Sequence, residues 1–201
     1  MSDPDDFFAV VHRQRACRAF ADEPVDDDLI ARVLDAATFA PSAENRQPWE
    51  FIVVRDDRSR AHLGDLTRRA WEAGGREFAQ TRLDSKLMAD VDAGATGGVA
   101  AAPVMIVVCA DTERGLVQTV PSSIFPATQN LLLAATALGL GSALTTITTS
   151  FATEIRALLG LPEHLTPVAI VPLGRPAHAL GAPRREPFTT HTHRERYGDA
   201  W

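Results

Sequence analysis

Two apolar runs constrain the fold of this chain more than any other feature. Val104 to Cys109 (VMIVVC) is apolar at every position. A strand alternates its side chains between two faces, so a strand with no polar position must be buried on both. Leu131 to Leu138 (LLLAATAL) is apolar on nearly all sides, and as a helix it has to be central and buried.

The other elements follow from periodicity and punctuation. Residues 4 to 13 (PDDFFAVVHR) read as a short amphipathic helix, with Pro4 tolerated at its start. Residues 26 to 39 predict a second helix, capped by Asp26 and stopped by Pro41, with Leu29, Ile30, Val33, Leu34 and Ala37 on one face. Phe51 to Arg55 is a compact strand. Ser59 to Met88 is helical, polar and Arg-rich, broken at Gly74-Gly75, and Asp90 to Ala102 reads as a loose stretch. A long helix spans Ser122 to Leu138, with Ser122 as its cap and Pro126 as its fourth residue, where a missing N–H is harmless. A short strand near Ser142 to Thr146, a helix from Phe151 to Leu159 and a strand from Val168 to Leu173 complete the pattern. From Pro176 onward the chain has little periodicity. At 201 residues this is one domain.

Charge and cysteine usage narrow the function. The formal net charge of -6 argues against nucleic-acid binding. The longest apolar run, Asn130 to Leu144, is too short to cross a bilayer, so no membrane role is expected. The opening MSDPDD is acidic and reads as neither a secretory signal nor a transit peptide. Cys17 and Cys109 stand far apart with no CxxC partner, which fits a reducing compartment; the expected location is the cytoplasm.

Four stretches carry candidate chemistry. In RQRACRAF, residues 13 to 20, Arg13, Arg15 and Arg18 fall within six residues of a connection. Converging arginines can grip a phosphate monoester bidentately, although such a cluster alone is more often a solvated basic face. Cys17 sits among them as a small packed residue, or as a thiol acidified by its neighbours. In APSAENRQPWEF, residues 40 to 51, the carboxamides of Asn45 and Gln47 and the backbone near Pro41 and Ser42 can frame the edge of a planar heteroaromatic ligand; a purely structural turn is the alternative. In PRREP, Arg184 and Arg185 can join a phosphate site or belong to a charged tail. His191 and His193 have no partner pattern for a metal, and they read as tail residues. A Gly-rich dinucleotide fingerprint is missing.

Taken together, these stretches resemble the FMN-dependent nitroreductase family. RACRAF is similar to that family's Arg-Arg-Ser-x-Arg-x-Phe motif, and APSAENRQPWEFIVV to its Ala-Pro-Ser-Ser-x-Asn-x-Gln-Pro-Trp-x-Phe signature. QNLLLAATALGLGS resembles its buried helix and Gly-rich turn, and VPLGRPA its last core strand. The resemblance implies an α+β fold, with a mixed central sheet flanked by helices and a buried central helix. It implies a homodimer with FMN at the interface and a C-terminal segment, residues 176 to 201, extending over the partner.

By the same resemblance, Arg15 and Arg18 fall on the FMN phosphate and ribityl, with Arg18 toward the pyrimidine edge of the flavin. Ser42, Ala43 and Asn45 reach flavin held mainly by the other subunit. Thr145, Thr146 and Ile147 pass flavin N5 and O4, and Arg184 and Arg185 close on the phosphate. Three places depart from the pattern: Gln14 stands where arginine is usual and Ala16 where serine is usual, with Arg13 as compensation for one of these two, and Thr145-Thr146-Ile147 stands where a Gly-containing stretch is common. The implied activity is hydride transfer from NADH or NADPH, through flavin N5, to a nitroaromatic, a quinone or a similar acceptor in two half-reactions. Flavin fragmentation, reductive dehalogenation and non-enzymatic flavin binding are the alternatives. Residues 59 to 102 form either a lid over substrate or a solvated surface.

Overall fold

The computed structural model describes residues 4–201; the opening Met1–Asp3, part of the acidic stretch noted above, lies outside the described residues. Four strands form one sheet: β1 (Trp49–Val54), β2 (Val104–Asp111), β3 (Gly141–Ser142) and β4 (Leu165–Gly174), in the order β1-β2-β4-β3. All three ladders are antiparallel, with Ile52 opposite Val107 and Val107 opposite Ile170. The expected mixed character reduces to a single parallel bridge between Ala16 and Ser142. The class is α+β.

β2 is buried at all eight positions, as its composition demands. Its even residues, Val104, Ile106, Val108 and Ala110, face α2 (Asp27–Thr38) and α6 (Val120–Ala137). Its odd residues, Met105, Val107 and Cys109, face α3 (Asp57–Ala70) and α7 (Ala152–Leu159), where Leu63, Leu66 and Ile155 are fully buried. Each such side chain contributes about 1.5–3 kcal/mol by leaving water. Leu63 and Leu66 make α3 part of the core, so only the residues beyond Ala70 are available as a lid.

Residues 71 to 98 differ from expectation. The helical pattern does break at Gly74, where φ is 144°. A wide turn at Trp71–Gly75 leads into α4 (Arg76–Gln80) and α5 (Ser85–Ala93). The stretch from Asp90, expected to be loose, continues α5 to Ala93 and then winds a second wide helical turn, Gly94–Gly98. Glycine is a poor helix former, but here its lack of a side chain admits Arg18: a Cβ on Gly98 would lie 2.0 Å from the Arg18 carbonyl oxygen. Trp71, Ala79 and Ala95 form a small core of their own, with Ile147 packed against it.

Three further expectations are corrected. α6 starts at Val120, because a turn delivers the Val120 N–H to the Leu116 carbonyl at 2.9 Å. Pro126 is therefore inside the helix, where it forfeits one backbone hydrogen bond. Within the apolar run only Leu131, Leu132 and Ala135 are buried; Leu133, Ala134 and Leu138 are half-buried and Ala137 is exposed, so one stripe of α6 stays open. Asp26 occupies the cap position of α2, but its side chain makes no capping bond. α1 (Pro4–Arg13) presents Phe7, Phe8 and Val11 to solvent.

Candidate functional site

The first basic motif crosses the end of the sheet. Ala16 bridges Ser142, and the Cys17 N–H donates to the Ser142 carbonyl at 2.9 Å. This short pairing sends consecutive side chains to different places. Arg15 donates through Nη1 to the Gly181 carbonyl at 2.9 Å. Arg13 donates through Nε to the Ala9 carbonyl at 3.2 Å. Both line a cavity of about 320 Å³ together with Thr136, Gly141, His178 and Leu180. Among the described residues no carboxylate lines it, and neither arginine has an ion-pair partner. Beside it, the Ser142 hydroxyl is buried without a partner among the described residues.

This donor set fits a phosphate-bearing cofactor. Arginine offers fixed forks of N–H donors, and a cavity lined by cations without carboxylates favours an anion. Arg184 and Arg185 do not line the cavity. They are exposed, three and four residues beyond Gly181, and Arg185 donates to the Arg184 carbonyl.

Arg18 points elsewhere. Its Nη1 donates to Asp90 Oδ2 of α5 at 2.7 Å, and its aliphatic stem lies against Gly94. The sequence held no signal for Asp90. Cys17 is fully buried, and burial pushes its thiol pKa up, outweighing the neighbouring arginines; the acidified-thiol alternative is overturned.

The loop after α2 is held by its own polar groups. Ser42 Oγ accepts the Gln47 N–H at 3.0 Å, and Ala43 N–H donates to Ser123 Oγ of α6 at 3.2 Å. Gln47 Nε2 donates to Asn45 Oδ1 at 3.3 Å, so the two carboxamides engage each other. Glu44, Asn45 and Gln47 all have φ near +50° (55°, 54° and 50°). Such conformations cost about 1–3 kcal/mol each for ordinary side chains and persist only where the surroundings enforce them. Pro41 is exposed at the entrance, while Pro48 and Trp49 are buried and anchor the exit. Ala43 lines a second cavity, of about 280 Å³, with Arg46, Arg114, Leu116 and Ser123. Within one chain, loop 41–47 and the Arg13–Arg15 pair thus serve different cavities.

Thr145 exchanges both backbone bonds with Ile170 (2.9 and 2.8 Å), and Thr146 starts the short helical turn Ile147–Phe151. Ile147 packs so closely on Gly75 that a Cβ there would fall 2.4 Å from its Cδ1. Residues 71 to 98 therefore touch both Arg18 and Ile147, two positions far apart in sequence.

Known proteins share both the sequence pattern and the fold. Residues 11–175 match the model of the nitroreductase family. A protein of Methanothermobacter thermautotrophicus assigned as NADH dehydrogenase/NAD(P)H nitroreductase is 33% identical over 182 residues, covering 88% of this chain and 80% of the relative. A 5,6-dimethylbenzimidazole synthase of Rhodospirillum rubrum is 29% identical over 197 residues, covering 90% and 87%. Among solved structures, one described as a nitroreductase in complex with FMN, from Desulfovibrio desulfuricans, superimposes with a TM-score of 0.76 at 27% identity, covering 98% of this chain and 99% of that one.

Proposed function

Because this chain belongs to the nitroreductase family, we propose that it is an FMN-dependent oxidoreductase that takes electrons from NADH or NADPH and works as a homodimer. The observation that carries the reading is the carboxylate-free cavity where Arg13 and Arg15 meet His178. Arg15 and Arg13 hold the FMN phosphate, with Arg184 and Arg185 folding in from the tail. Arg18 serves the pyrimidine edge, and Thr145, Thr146 and Ile147 border the flavin ring. Ser42, Ala43 and Asn45 reach the cofactor of the partner subunit, which suits the placement of Ala43 at a separate cavity. FMN, when bound, supplies hydride chemistry between the nicotinamide donor and an electron-poor acceptor such as a nitroaromatic or a quinone. The residues position that group and exclude water; Ala16 and Gln14 leave the phosphate fewer donors than the family pattern, and Arg13 replaces one.

The dimer has its own support. Phe7 and Phe8 on α1, Phe125 on α6, and Phe188, Tyr197 and Trp201 in the tail are all exposed in the single chain. A second copy crossing α6, with residues 176–201 laid over it, covers such a surface. No helix among the described residues is long and apolar enough to cross a membrane.

A second reading rests on the similarity to the dimethylbenzimidazole synthase: the same flavin site used for oxygen-dependent breakdown of the flavin itself. One experiment separates the two. The purified protein is expected to be yellow, and anaerobic NADH or NADPH is expected to bleach it. Turnover of a nitroarene or quinone with the flavin intact supports the reductase, whereas oxygen-dependent loss of the flavin supports the second reading. A colourless monomer indifferent to FMN overturns both.

A further inference from the structure

Arg18 is placed by a segment that the sequence suggested was a lid or a solvated surface. Its backbone carbonyl is enclosed by the Gly94–Gly98 turn, where a Cβ on Gly98 would sit 2.0 Å away. Its stem lies on Gly94, where a Cβ would come within 2.6 Å of Cδ. Its head is held by Asp90, 2.7 Å from Nη1. The guanidinium side chain is only 25% exposed, and Asp90 is its sole ion-pair partner among the described residues. Asp90 occupies one of five N–H donors, and among the described residues the others have no partner. Asp92, two residues on, is committed differently: it accepts from Trp71 Nε1 at 2.9 Å and pairs with Arg76 at 3.1 Å.

A cation beside the flavin pyrimidine edge stabilises the negative charge that arrives on reduction. A carboxylate in contact with that cation opposes it, since opposite charges at this distance cancel much of each other's field. We propose that Asp90 is a positioning residue that holds the Arg18 guanidinium and moderates its charge, so that α5 sets how strongly the protein favours reduced over oxidised FMN. This inference rests on the reading of Arg18 given under Proposed function. It assigns residues 85–98 a standing role as a wall of the cofactor site, built from one carboxylate and two glycines.

The test compares Asp90→Asn and Arg18→Gln with the unaltered holoprotein, reading the FMN midpoint potential with excess FMN present. The asparagine amide oxygen keeps the hydrogen bond to Arg18 and removes the charge. Asp90→Asn is expected to raise the ratio of reduced-FMN to oxidised-FMN affinity about threefold to tenfold, tenfold being about 30 mV for a two-electron couple. Arg18→Gln shifts the ratio the opposite way. If Arg18→Gln lowers the potential but Asp90→Asn leaves it unchanged or lowers it, Asp90 is at most a structural tether and the inference fails while the reading of Arg18 stands. If Arg18→Gln does not move the potential, the reading of Arg18 fails and the inference goes with it.

Discussion

Thr67 Oγ of α3 lies 2.7 Å from Thr148 Oγ, in the turn that comes after Thr145 and Thr146, and both residues are buried. Thr67 Oγ is also 2.8 Å from the Leu63 carbonyl, which can only accept. The single Thr67 proton goes to Leu63, so Thr148 must be the donor to Thr67. The pair ties the core helix α3 to a segment proposed to border the flavin ring, and the bidentate contact of Arg69 with Glu154 (2.8 and 3.3 Å) holds α3 to the helix that follows that turn.

That polarity makes the two threonines unequal. Thr148→Val removes only a donor from Thr67 and is expected to cost about 1 kcal/mol. Thr67→Val strands the buried Thr148 hydroxyl and is expected to cost about 1–3 kcal/mol. Urea unfolding of both single variants and the double measures the difference; the double should cost less than the two singles added. Equal single costs would refute the assigned donor.

Phosphate recognition gives a ligand test. Arg15→Ala should weaken FMN about tenfold to a hundredfold, the loss of about 1.5–3 kcal/mol expected for hydrogen bonds to a charged group. Riboflavin has no phosphate, so its affinity should barely change. Fluorescence titration with both ligands decides, and parallel losses would place Arg15 away from the phosphate.

The Gly94–Gly98 turn offers a matched pair. A Cβ on Gly97 meets nothing within 4 Å, so Gly97→Ala should be neutral or stabilising by up to about 1 kcal/mol. Gly98→Ala drives a Cβ onto the Arg18 backbone and should destabilise by about 1–3 kcal/mol. Thermal melts of the two proteins, side by side, should therefore move in opposite directions or differ plainly in size.

Alkaline stability should depend on Cys109. Burial, with Glu50 nearby, pushes its thiol from the ordinary 9.0 up to about 12. Between those values the folded chain keeps a proton that the unfolded chain releases. The stabilisation is complete below about 9.0 and is lost as pH rises toward about 12, at up to about 1.4 kcal/mol per pH unit. Cys109→Ala should flatten the fall of the urea midpoint across that window; an unchanged slope would assign the alkaline limb to other groups.

Much of the fold could be read in advance where burial leaves a local trace. β2 has no polar residue in Val104–Cys109, and it is covered on both faces. The 3.6-residue spacing of Ile30, Val33 and Ala37 put α2 against the sheet. The break at Gly74-Gly75 falls within the wide turn that separates α3 from α4. Pro126 misled because helix starts depend on the preceding turn, and the Leu116–Val120 hydrogen bond is not written in the cap residues. Gly94–Gly98 misled for a related reason: its glycines read as loop, yet Gly94 and Gly98 are small because Arg18 passes against them.

The buried strand β2, the apolar face of α2, the motifs whose family resemblance implied an α+β fold, and the clustering of arginines were already legible in the amino-acid order, because apolar periodicity and short motifs are local properties of a chain. Which cation goes where was settled in three dimensions alone: Arg13 and Arg15 toward the cavity with His178, Arg18 toward Asp90, and loop 41–47 toward Ser123. Those partners are fixed by contacts between segments as far apart as residues 15 and 181, and no local pattern encodes a pairing across that distance.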